Sequence, residues 1–531
     1  MKGCEVQPSP GKAHKPVMTD NQNLPDSNFQ QIRDELNVPQ AFPAEVLAEA
    51  DAAARRELFA EALPDHLDLQ TVPFITIDPP GSRDLDQALF MQRQGDGYLV
   101  RYAIADVGFF VQHGGAIERE AWNRGQTLYS PDLKTPLYPP ILSEGCASLL
   151  AGELRPAVVF TFTLNARGEV VSLDITRAFV RSQAQLAYPQ VSEHLAQERQ
   201  QPGSGNLAGK EWSLSLSLLE EVGRKRQRLE VERGGVSLRI PSQQVQRWTA
   251  AVQGYQLAFE TSSDVEEWNA QISLMTGMGA AQTMIQYGVG LLRSLAPPRR
   301  DRLQALKLTA KALGIAWPGE MDYDDFVRSL DPHIPTHAVL LHQAARVTGG
   351  ARYAPFRGTP SPQDRHAGIA AFYAHVTAPL RRLADRYVLD LLVTLSSEKT
   401  PEDDLLATLP DLPKVMADAD RLSHRLESII LDTVEAQLLH GREGDVFPAT
   451  VIALRADGVV VQITDPPIRT LIPATVFALD AMAASAEQAV LSEDGSALKM
   501  GEIQIVLGQE LRLKLDAANP MTRSLIFSLD R

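Results

Sequence analysis

The order of two hydrophobic textures along the chain constrains its fold more than any other feature of the sequence. Between residues 72 and 182 the apolar residues come as short β-branched and aromatic runs. They read FITI, then GYLVRYAIADVGFFV, then AVVFTFTLNARGEVVSLDITRAFVRS, in which RGE has the composition of a hairpin turn. From 207 to 395 the apolar spacing is mostly helical, interrupted by proline and glycine near 297, 318, 332 and 359. Strands that precede helices as a block, without βαβ alternation, predict a large mixed α+β domain rather than a doubly wound parallel sheet.

Smaller pieces flank that block, as a length of 531 residues requires of a chain too long for one ordinary core. Residues 1–25 are polar and proline-punctuated and predict a disordered segment. SNFQQIRDELN and AEVLAEADAAARRELFAEAL, separated by the helix-breaking VPQAFP, predict a small helical module over 26–70. After the charged helix LPKVMADADRLSHRLESIILDTVEAQLL the texture turns β again, and about five strands in about 90 residues have the rhythm of an OB-fold β-barrel.

Charge and cysteine content narrow the class. A formal net charge of −15 argues against a protein that coats nucleic acid with a basic surface, and leaves room for a basic channel inside an acidic shell. Two cysteines, Cys4 and Cys146, make a disulfide framework improbable and fit a reducing compartment. No apolar h-region surrounds Cys4, and no apolar run reaches the ~18 residues that a membrane helix needs. A soluble, cytoplasmic protein without a membrane partner is the expectation.

The first β run ends in FITIDPPGSRDLDQ, where Asp78, Asp84 and Asp86 fall within nine positions. If the backbone is extended around 84–86, two of these carboxylates project to one side and all three can converge. Converging carboxylates repel one another and need a cation, and hard oxygen donors at this density suit Mg²⁺ or Mn²⁺ completed by phosphate oxygens. The same residues also suit a capped turn, and spacing alone leaves both readings open. Farther along, AFYAHVTAPLRRLADRYV sets His375 and Thr377 ahead of Arg381, Arg382 and Asp385, where a guanidinium fork can bind phosphate or simply form a solvated basic face.

Together the two segments resemble the metal-binding signature and the Y-x-H-x-T-S-P-I-R-R-Y-A-D segment of the RNase II/RNase R exoribonucleases. YAIADVGFFV, LYPPILSEGCASLL, LRPAVVFTFTL and DVEEWN resemble further stretches of that family in the same order. The resemblance implies an RNB-type catalytic domain over 71–440 and an S1-type OB-fold RNA-binding domain over 441–531. It implies hydrolytic, processive 3′-to-5′ release of nucleoside 5′-monophosphates from single-stranded RNA, by a protein expected to be a monomer. Asp78, Asp84 and Asp86 would hold Mg²⁺ (or Mn²⁺), Asp86 would stand at the most sensitive catalytic position, and Arg381 would contact the phosphate. Tyr129 would stack on a base, Tyr188 and Glu266 would read the ribose 2′-hydroxyl, and Glu427 would lie near the 3′-terminal nucleotides.

Three departures from the family pattern stand out. Gln87 replaces a fourth aspartate and offers a neutral metal donor. ERGGVSLRIP carries Leu238 and Arg239 where a second stacking aromatic is expected. The N-terminal module is too short for two cold-shock barrels and is expected to replace them, as a helix-turn-helix-like nucleic-acid contact. A catalytically weakened RNA-binding or regulatory protein is therefore the rival reading, and a DNA nuclease a third. His333, His337 and His342 have ligand-like spacing without an acidic or cysteine partner nearby, GMGAA (277–281) reads as helix packing, and Asp106 reads either as support for the metal site or as a strand end.

Overall fold

The computed structural model describes residues 26–56, 65–236, 242–248, 254–260, 262–331, 334–463, 465–477, 489–492, 495–500 and 503–530. The disorder expected for 1–25, and the readings made of Leu238, Arg239 and His333, lie outside the described residues, as does the His342 side chain.

The β-rich block closes on itself. Strands β1 (Leu67–Asp78), β2 (Gln87–Gln94), β3 (Gly97–Ala105), β4 (Leu154–Leu164) and β5 (Val170–Ala187) form a closed barrel in chain order. Neighbours pair antiparallel, and β5 returns parallel to β1. The RGE turn forms as its composition predicts: Asn165 Oδ1 accepts from the Arg167 and Glu169 amides at 2.9 and 3.0 Å, and Gly168 takes the positive φ of 84°. β1 begins at Leu67, ahead of the β-branched run that marks it in the sequence, because its early residues pair with Ala178, Phe179 and Val180 of β5. Phe74, Val100, Tyr102, Phe160 and Phe162 are buried and fill the core that removes this barrel's apolar surface from water.

Closure decides where strand ends meet. Asp78 at the end of β1 pairs with Ala187 at the end of β5, and Gln87 at the start of β2 pairs with Ile104 near the end of β3. One rim of the barrel therefore carries Asp78, Gln87 and, one residue beyond β5, Tyr188.

The helical stretch is less uniform than its periodicity suggests. It contains the long helix α1 (Asp264–Tyr287) and the buried helix α2 (Leu383–Ser396), but also two ribbons, Ser242–Trp248 with Gly254–Glu260 and Val289–Ser294 with Arg352–Arg357. VGLLRS finds its partner strand about 60 residues downstream, and a pairing of that range leaves no local signal. Gly277 and Gly279 of GMGAA do serve packing: a methyl on Gly277 would stand 2.1 Å from a Tyr373 ring carbon, and one on Gly279 2.8 Å from Leu173 of β5.

Helix α3 (Leu412–Leu439) leads to a five-stranded sheet, ordered Ile468–Pro473, Gly458–Ile463, Val446–Arg455, Glu510–Asn519, Ser524–Leu529, whose two edges approach one another. That order and curvature are the OB arrangement expected of the C-terminal strands. The N-terminal helices Asp26–Glu35 and Ala44–Ala54 do not share a core. Phe29 and Ile32 of the first pack with α3 and the C-terminal barrel, while Val46, Ala50 and Ala53 of the second join the core of the β1–β5 barrel. A free helix-turn-helix unit does not form, because each apolar face is claimed by a different neighbour. Among the described residues no helix is long and apolar enough to cross a membrane.

Candidate active site

The segment 377–382 lies against the barrel rim and brings the two motifs together across 295 residues of sequence. It is held rigidly. Asp385, fully buried in the first turn of α2, accepts from the Ala378 amide at 2.8 Å and from Arg382 Nε and Nη2 at 3.0 and 2.7 Å. A buried carboxylate with three donors is fully compensated, so the backbone it grips has one arrangement. Ala374 N donates to Gly277 O at 3.1 Å, which fixes the preceding residues on α1.

This segment aims two donors at Asp86. The Leu380 amide donates to Oδ1 at 2.8 Å and Arg381 Nε to Oδ2 at 3.1 Å. Asp86 is buried, and burial raises it to about 7 against the opposing pull of Arg381 and the Leu380 amide. Burial, followed by the charge of Asp86, raises Asp78 to about 7 as well. Asp84 and Asp385 add to the rise of Asp86, as Asp86 and Asp84 add to that of Asp78, which is the mark of negative charge crowded into a low-dielectric space. Asp78 Oδ2 and the Tyr102 hydroxyl are buried without a hydrogen-bond partner.

Asp84 departs from the convergence expected of an extended 84–86 segment. Lys134 Nζ sits 2.9 Å from its Oδ1 and 2.7 Å from Glu144 Oε1, so Asp84 is drawn toward the hairpin Leu128–Tyr129/Lys134–Thr135. Among the described residues no three acidic, cysteine or histidine side chains stand close enough together to hold one ion. The physical reason is that two cationic side chains, Lys134 and Arg381, already answer two of the three carboxylates. Gln87 spends its amide differently: Nε2 donates to the Thr377 carbonyl and ties β2 to the 377–382 segment. The Thr377 hydroxyl meets Ser273 Oγ of α1 at 2.8 Å.

The other sequence-selected residues fall at different distances from this centre. Tyr129 is 49% exposed, and its phenol is raised by burial and then by the charge of Asp84. Tyr188 opens the helix that follows β5, with its hydroxyl 3.5 Å from Asn269 Nδ2, and its phenol is raised by burial and then by the charges of Asp78 and Glu266. Glu266 also closes a capping box at the start of α1, its Oε2 accepting from Ser263 N at 2.5 Å. Glu427 is exposed on α3, where it accepts from Ser423 Oγ at 3.2 Å. Asp106 belongs to another network: it caps the turn Val107–Phe109 and pairs with Arg177 at 2.7 Å, so the strand-end reading holds. His375 is bonded to Tyr353 through Nδ1 at 2.8 Å, and His337 accepts from Asp331 N at 3.0 Å.

Sequence reasoning missed Lys134, Tyr102 and the Leu380 amide. Lys134 left a faint signal, a lone lysine five residues after Tyr129, whereas a backbone amide leaves none.

The family model described as the RNB domain matches residues 66–398. Ribonuclease R of Chlamydia trachomatis is 26% identical over 407 residues, covering 74% of this chain and 56% of that protein. Ribonuclease R of Escherichia coli is 25% identical over 518 residues, covering 93% and 60% respectively. The chain thus spans little more than half the length of these curated relatives. Among solved structures, Mycoplasma genitalium RNase R in complex with ribose-methylated single-stranded RNA is similar in fold, with a TM-score of 0.83 at 20% identity over 94% of this chain and 77% of that one. Yeast Ssd1, a pseudonuclease, matches with a TM-score of 0.69 at 16% identity over 90% and 58%.

Proposed function

The chain belongs to the RNB-domain family, and on that premise we propose that it is a hydrolytic, processive 3′-to-5′ exoribonuclease that releases nucleoside 5′-monophosphates from single-stranded RNA with Mg²⁺ or Mn²⁺. The observation that carries this reading is the approach of Arg381 to Asp86 within a cluster of desolvated carboxyls.

The donor types suit the ion, which would have to draw together carboxylates that Lys134 and Arg381 now hold. Asp78, Asp84 and Asp86 would hold it, with Gln87 as a neutral neighbour, and the unpartnered Asp78 Oδ2 is the kind of buried oxygen that a hard cation satisfies. When bound, the ion supplies Lewis-acid polarisation of the scissile phosphate and a source of nucleophilic water near neutral pH. The remaining work belongs to the chain. Arg381 spends Nε on Asp86 and is 44% exposed, so its terminal nitrogens remain for a phosphate oxygen on which negative charge grows. The tie from Asp385 to the Ala378 amide keeps that guanidinium in register with Asp86. Tyr129 offers a half-exposed ring for a base, and stacking on it is indifferent to sequence. Tyr188 and Glu266 offer a hydroxyl and one free carboxylate oxygen to a ribose 2′-hydroxyl, which would separate RNA from DNA.

Gln87 and Lys134 favour the rival reading, RNA binding with weak cleavage, because each removes negative charge from the metal-holding cluster. A 5′-labelled single-stranded RNA incubated with Mg²⁺ decides between them. The expected products are mononucleotides and a short 5′ remnant, with Asp86→Asn slowing release by roughly 100-fold or more. Equal product from wild type and Asp86→Asn would end the enzyme reading, and prompt digestion of the matching deoxy-oligonucleotide would remove the roles given to Tyr188 and Glu266.

A further inference from the structure

The hairpin that carries Tyr129 has little to hold it by itself. It is a ladder of two residue pairs, Leu128 with Thr135 and Tyr129 with Lys134, closed over a turn in which Ser130 N donates to Leu133 O at 3.0 Å. Two-stranded ribbons of this length are not stable in water alone. Its base is pinned to the catalytic segment, since Thr127 N donates to Arg381 O at 3.0 Å and Leu137 N to Thr127 Oγ1 at 3.0 Å. Its tip is pinned from elsewhere. Arg33, on the N-terminal helix Asp26–Glu35, donates through Nη1 and Nη2 to the two carboxylate oxygens of Asp132, at 2.8 Å each.

That pair is bidentate and nearly dry, with side-chain exposures of 2% for Arg33 and 7% for Asp132. Charge-assisted fork geometry of this kind specifies orientation as well as contact, and cutting one partner leaves the other charge buried. The helix that supplies Arg33 is itself tied to the rest of the molecule. Phe29 stands edge-on to Tyr255 at 4.9 Å, Glu35 pairs with Arg523 of the C-terminal barrel at 2.7 Å, and Ile32 shares a core with Leu128 at the root of the hairpin.

We propose that the N-terminal helix is a working part of the active site: through Arg33 it holds the Asp132 turn so that Tyr129 stands over the path of the RNA 3′ end, and Arg33 is thereby a positioning residue. The proposal rests on the exoribonuclease reading, in which Tyr129 stacks on a base. It assigns the N-terminal helices an internal role in place of the free nucleic-acid contact expected from their sequence. Release of the tip would leave Asp78, Asp86 and Arg381 where they are while the stacking ring loses its place.

The test uses the full chain and a single-stranded RNA with 2-aminopurine as its 3′-terminal base, in EDTA so that binding is read without cleavage. Wild type is expected to bind with a change in 2-aminopurine emission, and Tyr129→Ala to lose that change. Arg33→Met and Asp132→Asn, which cut the pair from opposite sides, are expected to lose most of the emission change and bind roughly tenfold more weakly. The swapped pair Arg33→Asp with Asp132→Arg is expected to recover both. A purely structural role predicts a lower melting temperature in the single variants with wild-type emission change, and that result would overturn the proposal. Asp132→Asn leaves the sequence of the helix unchanged and keeps one acceptor oxygen for Arg33, and so answers the question even if Arg33→Met folds poorly. Wild type that binds no RNA at all would instead remove the reading on which the proposal stands.

Discussion

At the scale of single residues, the site is governed by charge balance rather than by the number of carboxylates. Lys134 stands between Asp84 and Glu144, and Gln87 presents an amide where one more carboxylate would have deepened the negative potential. A cation already seated on Asp84 competes with a metal ion for the same oxygen. Lys134→Met is therefore expected to bind Mn²⁺ several-fold more tightly than wild type, read by electron paramagnetic resonance in the absence of RNA. An unchanged affinity would mean that Asp84 is not shared between the ammonium and the ion. Melting should separately report the lost ion pairs, an effect of about 1 kcal/mol or less for partly exposed charges.

At the scale of elements, α3 is the joint between the RNB domain and the C-terminal barrel, and Glu435 is its most telling residue. Its carboxylate accepts from Gln243 Nε2 at 2.6 Å and from Arg469 N at 3.4 Å, so it bridges an RNB-domain ribbon and the barrel. Burial raises it from 4.5 to about 7. The folded state therefore keeps a proton that the unfolded chain has released, and the stability this contributes is full below about pH 4.5 and lost as pH rises through 7. Glu435→Gln keeps the acceptor oxygen and removes the titration. Its melting temperature is expected to fall less than that of wild type between pH 5 and pH 8, with a gain on the order of 2 kcal/mol at the upper end. Parallel melting curves for the two proteins would mean that the carboxylate stays ionised in the joint.

At the scale of the whole molecule, a net charge of −15 must coexist with the polyanionic substrate that the proposed function gives it. Long-range repulsion is screened within about 10 Å at 0.1 M salt, whereas the contacts of Arg381 act at short range. Added salt is thus expected to raise the association rate with RNA while it raises the dissociation rate more, measured by stopped flow in EDTA. A steep fall in association rate with salt would point to a basic surface that dominates the encounter. The sequence by itself determined the α+β order, the C-terminal OB rhythm, and the two motifs around Asp78–Asp86 and Thr377–Asp385, because each is written in local periodicity or in residue types that few chemistries tolerate. Only the tertiary structure decided that β5 closes on β1, that Lys134 and the Leu380 amide enter the site, that VGLLRS is a strand, and that Arg33 reaches Asp132. Those outcomes depend on pairings between residues tens to hundreds of positions apart, whose energy comes from burial and charge compensation that no short stretch of sequence contains.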